Sequence, residues 1–352
     1  MSVASKKLFT SPPLPFNGNK RNWINYIKEQ FKNYKIPEDV VIVDLFGGSG
    51  LLSHLFAWLY PNNKVIYNDY DYYVDILNDE TIRKINEITQ WGRDLMTDRG
   101  IGKGGKISME DKEIILQKFK EVLGENWEEN EKIKNIICAN FCFSGRNNFN
   151  GFLYNKLTIK EYLAGFKIND YILDNIVVEH KDYKQLLSDL VDLDLKPEKY
   201  IFILDPPYLS TSKSFYAGER GKHKDEEGKQ IYWGISKTCD VLDICLKYKT
   251  LLFESDRSEI FPLIKIIERH TGKDNMFNYK LSPQRKLGAR SNSNDYYILF
   301  NFEDLDIYVP LVKEVKEKAK EKKEERIEYH TKPKTKEEKM KEYLKLKEEL
   351  GI

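Results

Sequence analysis

The chain has 352 residues, 32% of them charged and 41% hydrophobic, a balance that suits one large soluble domain or two modest ones with a true core. With 57 Lys and Arg against 56 Asp and Glu, the formal net charge of +1 excludes a global positive field but leaves room for a local basic face. No apolar run approaches the ~20 residues of a membrane helix, and Met1–Thr10 lacks a signal-peptide core, so the expectation is a cytoplasmic protein.

In chain order, Pro15-Phe-Asn-Gly-Asn-Lys20 stands ahead of a predicted helix. Val40–Asp44 is a short β-branched strand that ends at a glycine-rich turn, Phe46–Gly50. An apolar helix follows over Leu51–Leu59, then a second strand, Lys64–Tyr67, ending in Asn68-Asp69. Strand, turn, helix and strand in this order open a doubly wound α/β domain. Helical patterns then take over at Asp79–Trp91, Met109–Leu123 and Glu131–Cys142, interrupted by the basic, glycine-rich Arg99–Lys106. Strand signals return at Ile176–Glu179, Tyr200–Leu204, Thr250–Phe253 and Tyr296–Asn301. The sheet is thus expected over 1–79 and 176–310, with a mostly helical insertion at 80–175. A Lys/Glu-rich helical tail is expected at 311–352, supported by pairs such as Glu314/Lys318 and broken near Pro333.

Four cysteines, Cys138, Cys142, Cys239 and Cys245, fit neither a disulfide framework nor zinc spacing. They read as ordinary buried thiols, and no metal is expected.

The sharpest chemical signal is Asp205-Pro206-Pro207-Tyr208, directly after the apolar strand YIFIL. The C-terminal ends of α/β strands are where such domains bind ligands. Two prolines fix an extended backbone and remove two N–H donors, leaving carbonyls that need outside donors. An amino group fits: the Asp205 carboxylate and the Pro206 carbonyl each accept one of its hydrogens. Tyr208 offers a face for a stacked base. A plain Pro-Pro turn with Asp as a local cap would look the same in isolation. The second signal, Asp44-Leu-Phe-Gly-Gly-Ser-Gly50, is neither GxGxxG nor a P-loop, and by itself indicates a nucleoside cofactor. Asp69 ends the next strand, where an acid accepts ribose hydroxyls.

Together these motifs resemble the Dam-type DNA adenine methyltransferases, most closely the small bacteriophage members, over roughly residues 12–302. The resemblance implies a Rossmann-like S-adenosylmethionine-dependent methyltransferase sheet with an inserted target-recognition domain. It assigns Phe16, Gly18, Lys20, Asp44, Phe46, Gly48, Gly50, Asp69, Asp182 and Tyr183 to S-adenosylmethionine, Asp182 at the cofactor's adenine amino group. Asp205, Pro206, Pro207 and Tyr208 become the catalytic motif. Within Phe143–Phe152, Arg146 and Asn148 become contacts to double-stranded DNA, a pairing that suits guanine and adenine. The implied reaction is methyl transfer to the N6 amino group of a flipped adenine, with no protein partner required.

Three departures bear on specificity: Leu153–Lys156 replaces the family's Pro-Phe-Gly, Lys213–Lys229 is extra sequence after the catalytic motif, and the charged tail is additional. Competing readings are methylation of RNA adenine or of cytosine N4, and a DNA-binding protein without catalysis. Intact glycines and an intact DPPY weigh against the last, and aspartate rather than serine at its first position favours adenine.

Overall fold

A computed structural model of the chain describes residues 7–14, 16, 18, 20–101, 108–127, 166–191, 196–207, 233–256, 258, 260–272, 276–286 and 294–309. The expected tail, the helix at Glu131–Cys142 and the insert Lys213–Lys229 lie outside these residues.

Five short strands form the parallel heart of the sheet: Val41–Asp44 (β1), Val65–Asn68 (β2), Ile176–Glu179 (β3), Tyr200–Leu204 (β4) and Lys249–Ser255 (β5). β4 is buried along its whole length, as is β2. That is why these strands read as continuous apolar runs rather than alternating ones: helices cover both faces. The edge beyond β5 is antiparallel, built from Tyr279–Leu281 (β6), Arg285–Lys286 (β7) and Asn294–Phe300 (β8). The order across the sheet is β3-β2-β1-β4-β5-β8-β6, with β7 also paired to β8. The order in which successive strands are added reverses between the parallel neighbours β1 and β4, whose register sets Asp44 opposite Ile203. This is the switch point at which open α/β sheets bind ligands.

One face is covered by Ile24–Phe31 (α1) and Leu51–Leu59 (α2), which bury Ile24, Ile27, Phe31, Leu55 and Phe56 against Ile42, Ile203, Phe253 and Tyr297. The other is covered by Tyr183–Val191 (α7), Ile235–Lys247 (α8) and Ile260–Thr271 (α9), packed on Val43, Phe202, Leu252 and Ile298. Between β2 and β3 lie Tyr73–Ile76 (α3), Asp79–Asp98 (α4), Met109–Leu123 (α5) and Ile168–Tyr171 (α6). α4 and α5 have a small core of their own, Ile88, Met96, Ile115, Phe119 and Trp127. The Asn78 and Ser108 side chains cap their first turns. α4 runs seven residues past its predicted end because Gly92 is buried within it; packing there outweighs the weak helix propensity of glycine. Arg99, expected in a free basic loop, instead pairs with the Asp111 carboxylate at the start of α5. Cys245 is buried, as expected, but Cys239 sits on the solvent face of α8 and is exposed. Among the described residues no helix is long and apolar enough to cross a membrane.

His54 ties three segments together. Its Nε2 accepts from the Phe9 amide at 3.0 Å, and its Nδ1 lies 2.7 Å from the Tyr171 carbonyl, to which it donates as the neutral ring. The ring stacks on Tyr171 and is fully buried. Burial lowers its pKa, outweighing the upward pull of the carbonyl contacts. A depressed histidine contributes stability above its unfolded pKa of about 6.5 and loses it as pH falls toward the folded value. The difference in Tm between wild type and His54→Gln is therefore expected to be largest above pH ~6.5 and to shrink on acidification, as read by thermal melts across pH.

Candidate active site

At the C-terminal edge of β1 the chain must turn at once into α2, and Tyr67 of β2 fills the space beneath the turn. The Tyr67 hydroxyl donates to the Gly48 carbonyl at 2.7 Å. A Cβ on Gly47 would lie 2.3 Å from the Tyr67 ring, and one on Gly50 2.8 Å from it, with Gly50 also at φ +71. Glycine is required at both positions for room, and at Gly50 for backbone freedom as well. Phe16 lies against Gly48 and packs edge-on to Tyr73. The turn is thus held between two aromatic rings.

Asp44 closes β1 with its side chain fully buried. Its Oδ2 accepts from Ser53 Oγ at 2.6 Å, whereas its Oδ1 has no partner. Burial pushes its pKa up to about 7, against the downward pull of Ser53, and Asp205 adds to the rise while Lys20 opposes it. Lys20, itself buried, donates to Asp205 Oδ2 at 2.5 Å and to the Gly18 carbonyl at 3.1 Å. Gly18, at φ +78, thereby turns its carbonyl onto the lysine. Pro206 is buried and Pro207 half-buried beside Asp205.

Two more acids complete the group. Glu254, at the end of β5, is fully buried, and neither of its oxygens makes a hydrogen bond of normal geometry. Burial pushes it up to about 8, against smaller pulls from Ser258 and the Ser255 backbone. Asp295, at the start of β8, has a buried Oδ1 without a partner, and burial raises it to about 6. Lys20 and Asp205 act on both.

A second cluster lies on the α7 side. The rings of Phe46, Tyr183 and Trp233 meet pairwise at centroid distances of 5.4 to 5.6 Å. The Tyr183 hydroxyl donates to Asp240 at 2.7 Å, and the indole N–H of Trp233 is buried without an acceptor. Asp182 is exposed at the start of α7, where its Oδ1 accepts the Lys184 amide.

Asp69 stands apart. Its carboxylate is fully buried and accepts the backbone amides of Tyr73 and Val74 at 2.7 and 2.8 Å. The acid expected at a ribose caps α3, because that helix starts directly behind β2 and its first amides need an acceptor. Tyr208, Arg146 and Asn148 lie outside the described residues.

Residues 16–255 match the family model described as D12 class N6 adenine-specific DNA methyltransferase, a span that runs from Phe16 through the glycine turn and Asp205 to the end of β5. The chain belongs to that family. A Haemophilus influenzae protein named "Putative methyltransferase" is similar to this one, 34% identical over 224 residues that cover 61% of this chain and 70% of the relative. The D12-class match makes the chain a DNA adenine methyltransferase and gives the Lys20–Asp205 pair at the switch point its context. Sequence reasoning did not reach Gly47, Trp233, Glu254 or Asp295. Gly47 was legible as the middle of a Gly-Gly step, and the others stand singly in unremarkable surroundings.

Gly47→Ala is expected to destabilise this methyltransferase by about 1–3 kcal/mol through overpacking on Tyr67. Gly47→Ala/Tyr67→Leu should recover part of that loss, measured by denaturant unfolding of the two variants and of Tyr67→Leu alone.

Proposed function

We propose that this DNA adenine methyltransferase takes its methyl group from S-adenosylmethionine and delivers it to the N6 amino group of an adenine rotated out of duplex DNA. The observation that carries this reading is Asp205-Pro206-Pro207 at the end of β4, with Asp205 ion-paired to a buried lysine at the switch point. The residues present fit the cofactor. Asp44 Oδ1 is a buried acceptor without a donor, suited to an ammonium such as the one on the cofactor's methionine moiety. Phe46, Tyr183 and Trp233 present aromatic surface and a free indole donor next to Asp182, suited to an adenine ring. When bound, S-adenosylmethionine supplies an electrophilic methyl on a sulfonium.

The protein's part is positioning and charge stabilisation. Rotation of the target base costs a few kcal/mol, and Tyr208 supplies a stacking face. Asp205 and the Pro206 carbonyl each accept one hydrogen of the amino group, which draws the nitrogen lone pair out of conjugation and aims it. Asp205 then offsets the positive charge that develops on nitrogen. Arg146 and Asn148 in the insertion read the flanking bases.

Asp205→Ala is expected to lower methyl transfer by at least about 1,000-fold, as the loss of a group that meets charge developing in the transition state. S-adenosylmethionine affinity should remain within a few-fold of wild type. Transfer of labelled methyl to unmethylated duplex DNA, followed by nucleoside analysis, reads the first, and calorimetry reads the second. Normal turnover in the variant, or label in N4-methylcytosine, would overturn the assignment.

Asp44→Asn makes a complementary change. Here cofactor affinity is expected to fall about 10-fold or more, the size of a charge-assisted hydrogen bond lost in a buried site. Equilibrium binding without DNA reads this directly.

A further inference from the structure

We propose that Asp295 is a positioning residue for methyl transfer: it is the second counter-ion of the Lys20 ammonium, and it takes that ammonium over when Asp205 turns to the substrate amine. The inference rests on the reading of Asp205 as the acceptor of that amine.

The sheet register brings the groups together. β5 and β8 pair with Phe253 opposite Tyr297 and Ser255 opposite Asp295. Residues opposed across a ladder share a face, so Asp295 emerges on the same side as Phe253, one pleat nearer the active edge. Lys20 Nζ lies over the Phe253 ring, 5.4 Å from its centroid. Asp44 and Asp205 emerge on this face too, since Ile42 and Ile203, two residues before each, belong to the core beneath it. One ammonium therefore stands among three carboxylates on one side of the sheet. Asp205 holds it, Asp44 is held by Ser53, and Asp295 keeps a buried Oδ1 with no donor.

The other charges around Asp295 do not fill that role. Arg285 is opposite it on β7, but its guanidinium donates to the Asn22 carbonyl and stacks on Tyr26, 3.9 Å from the ring centroid. Asp256 and Asp205 are like charges that raise Asp295, and Glu254 emerges on the opposite face. Lys20 is the cation that draws Asp295 down toward ionisation.

The chemistry needs such an acceptor. As long as Lys20 stays on Asp205, the carboxylate faces an ammonium on one side while a second positive charge grows on the amine at its other side. Moving the ammonium to Asp295 leaves the Asp205 charge for the transition state. No proton or bond changes hands in this movement. Asp295 pushed up to about 6 by burial is neutral in acid, where it has no charge to offer Lys20.

The test compares full-length wild type with Asp295→Asn and with Glu254→Gln as a neighbouring buried-acid control. At neutral pH, with saturating S-adenosylmethionine and unmethylated duplex DNA, Asp295→Asn is expected to lower kcat about 100-fold, the scale of an ångström's misplacement at a reacting centre. KM for DNA and Kd for the cofactor should change little. The wild-type kcat profile should carry an acid limb near pH 6 that Asp295→Asn lacks and Glu254→Gln keeps. Independently of activity, carboxyl-carbon NMR of Asp-labelled protein should show the Asp205 signal shifting with the titration of Asp295, and no such shift in Asp295→Asn. Stability provides the check on folding. A carboxyl with a raised folded pKa loses stability as pH rises to the folded value, so Asp295→Asn should melt at or above wild type at pH 7. An unchanged kcat, a loss confined to KM or Kd, or an Asp205 signal indifferent to Asp295 would overturn the proposal. No transfer by wild type on any DNA would instead overturn the functional reading, and the NMR experiment would still decide the coupling.

Discussion

The active edge depends on one buried ammonium. Lys20 arrives from the segment before α1, crosses the face of Phe253 and meets Asp205. Four acids, Asp44, Asp205, Glu254 and Asp295, end or begin four different strands around it. Buried carboxylates without compensating charge rise in pKa, and Asp44, Glu254 and Asp295 do so. Lys20 pulls against that rise in all three. The Gly18 carbonyl, turned toward Nζ by a left-handed backbone, restricts where that charge sits.

The frame around this charge is aromatic rather than polar. Tyr67 and Phe16 hold the glycine turn from beneath and from the side, and Tyr73 locks Phe16 while its hydroxyl bridges the Leu14 amide and carbonyl. Phe46, Tyr183 and Trp233 line the far side. Such rings bring large area and few torsions, so a turn pressed against them loses little order when a flat ligand arrives. Among the described residues, the buried polar side-chain atoms left without partners, apart from Thr89 in α4, are on Asp44, Glu254, Asp295 and Trp233, where the rings leave room. Unpaired polar atoms are costly in a core, and their concentration at one edge marks that edge as built for something other than stability.

Much of this was legible in the sequence where burial imposes a pattern. Leu51–Leu59, Ile176–Glu179 and Tyr200–Leu204 were found to the residue: β4 is buried along its length and apolar throughout, the helix is largely apolar and buried, and the edge strand β3 is marked by its β-branched run. The Asp-Pro-Pro segment after β4 and the glycine turn stood out in the sequence because proline and glycine have few other uses at strand ends. The capping of α3 by Asp69 was not legible, since an acid after a strand looks the same whether it meets a sugar or a helix terminus. Asp295 was hidden in Ser291–Asp295, where five polar residues read as loop and only pairing with β5 reveals which of them faces the lysine. β6 and β7 are too short and too exposed to leave a period, and they exist because β8 offers them an edge.

The strand order has a consequence for how the protein is made. β1 pairs with β4, so the centre of the sheet joins segments roughly 160 residues apart, with β2, β3 and the helices α2 to α7 between them. Closing a loop of that length costs only slowly more as it grows, but the pairing must wait until β4 has left the ribosome. Until then β1, apolar on both faces, has only β2 beside it, and a nascent chain with such an edge is prone to aggregate. β8, the last of the described strands, brings in Asp295, so the cluster of buried acids is completed late in synthesis. The cluster of buried acids in this DNA adenine methyltransferase is thereby assembled only once the sheet is nearly whole.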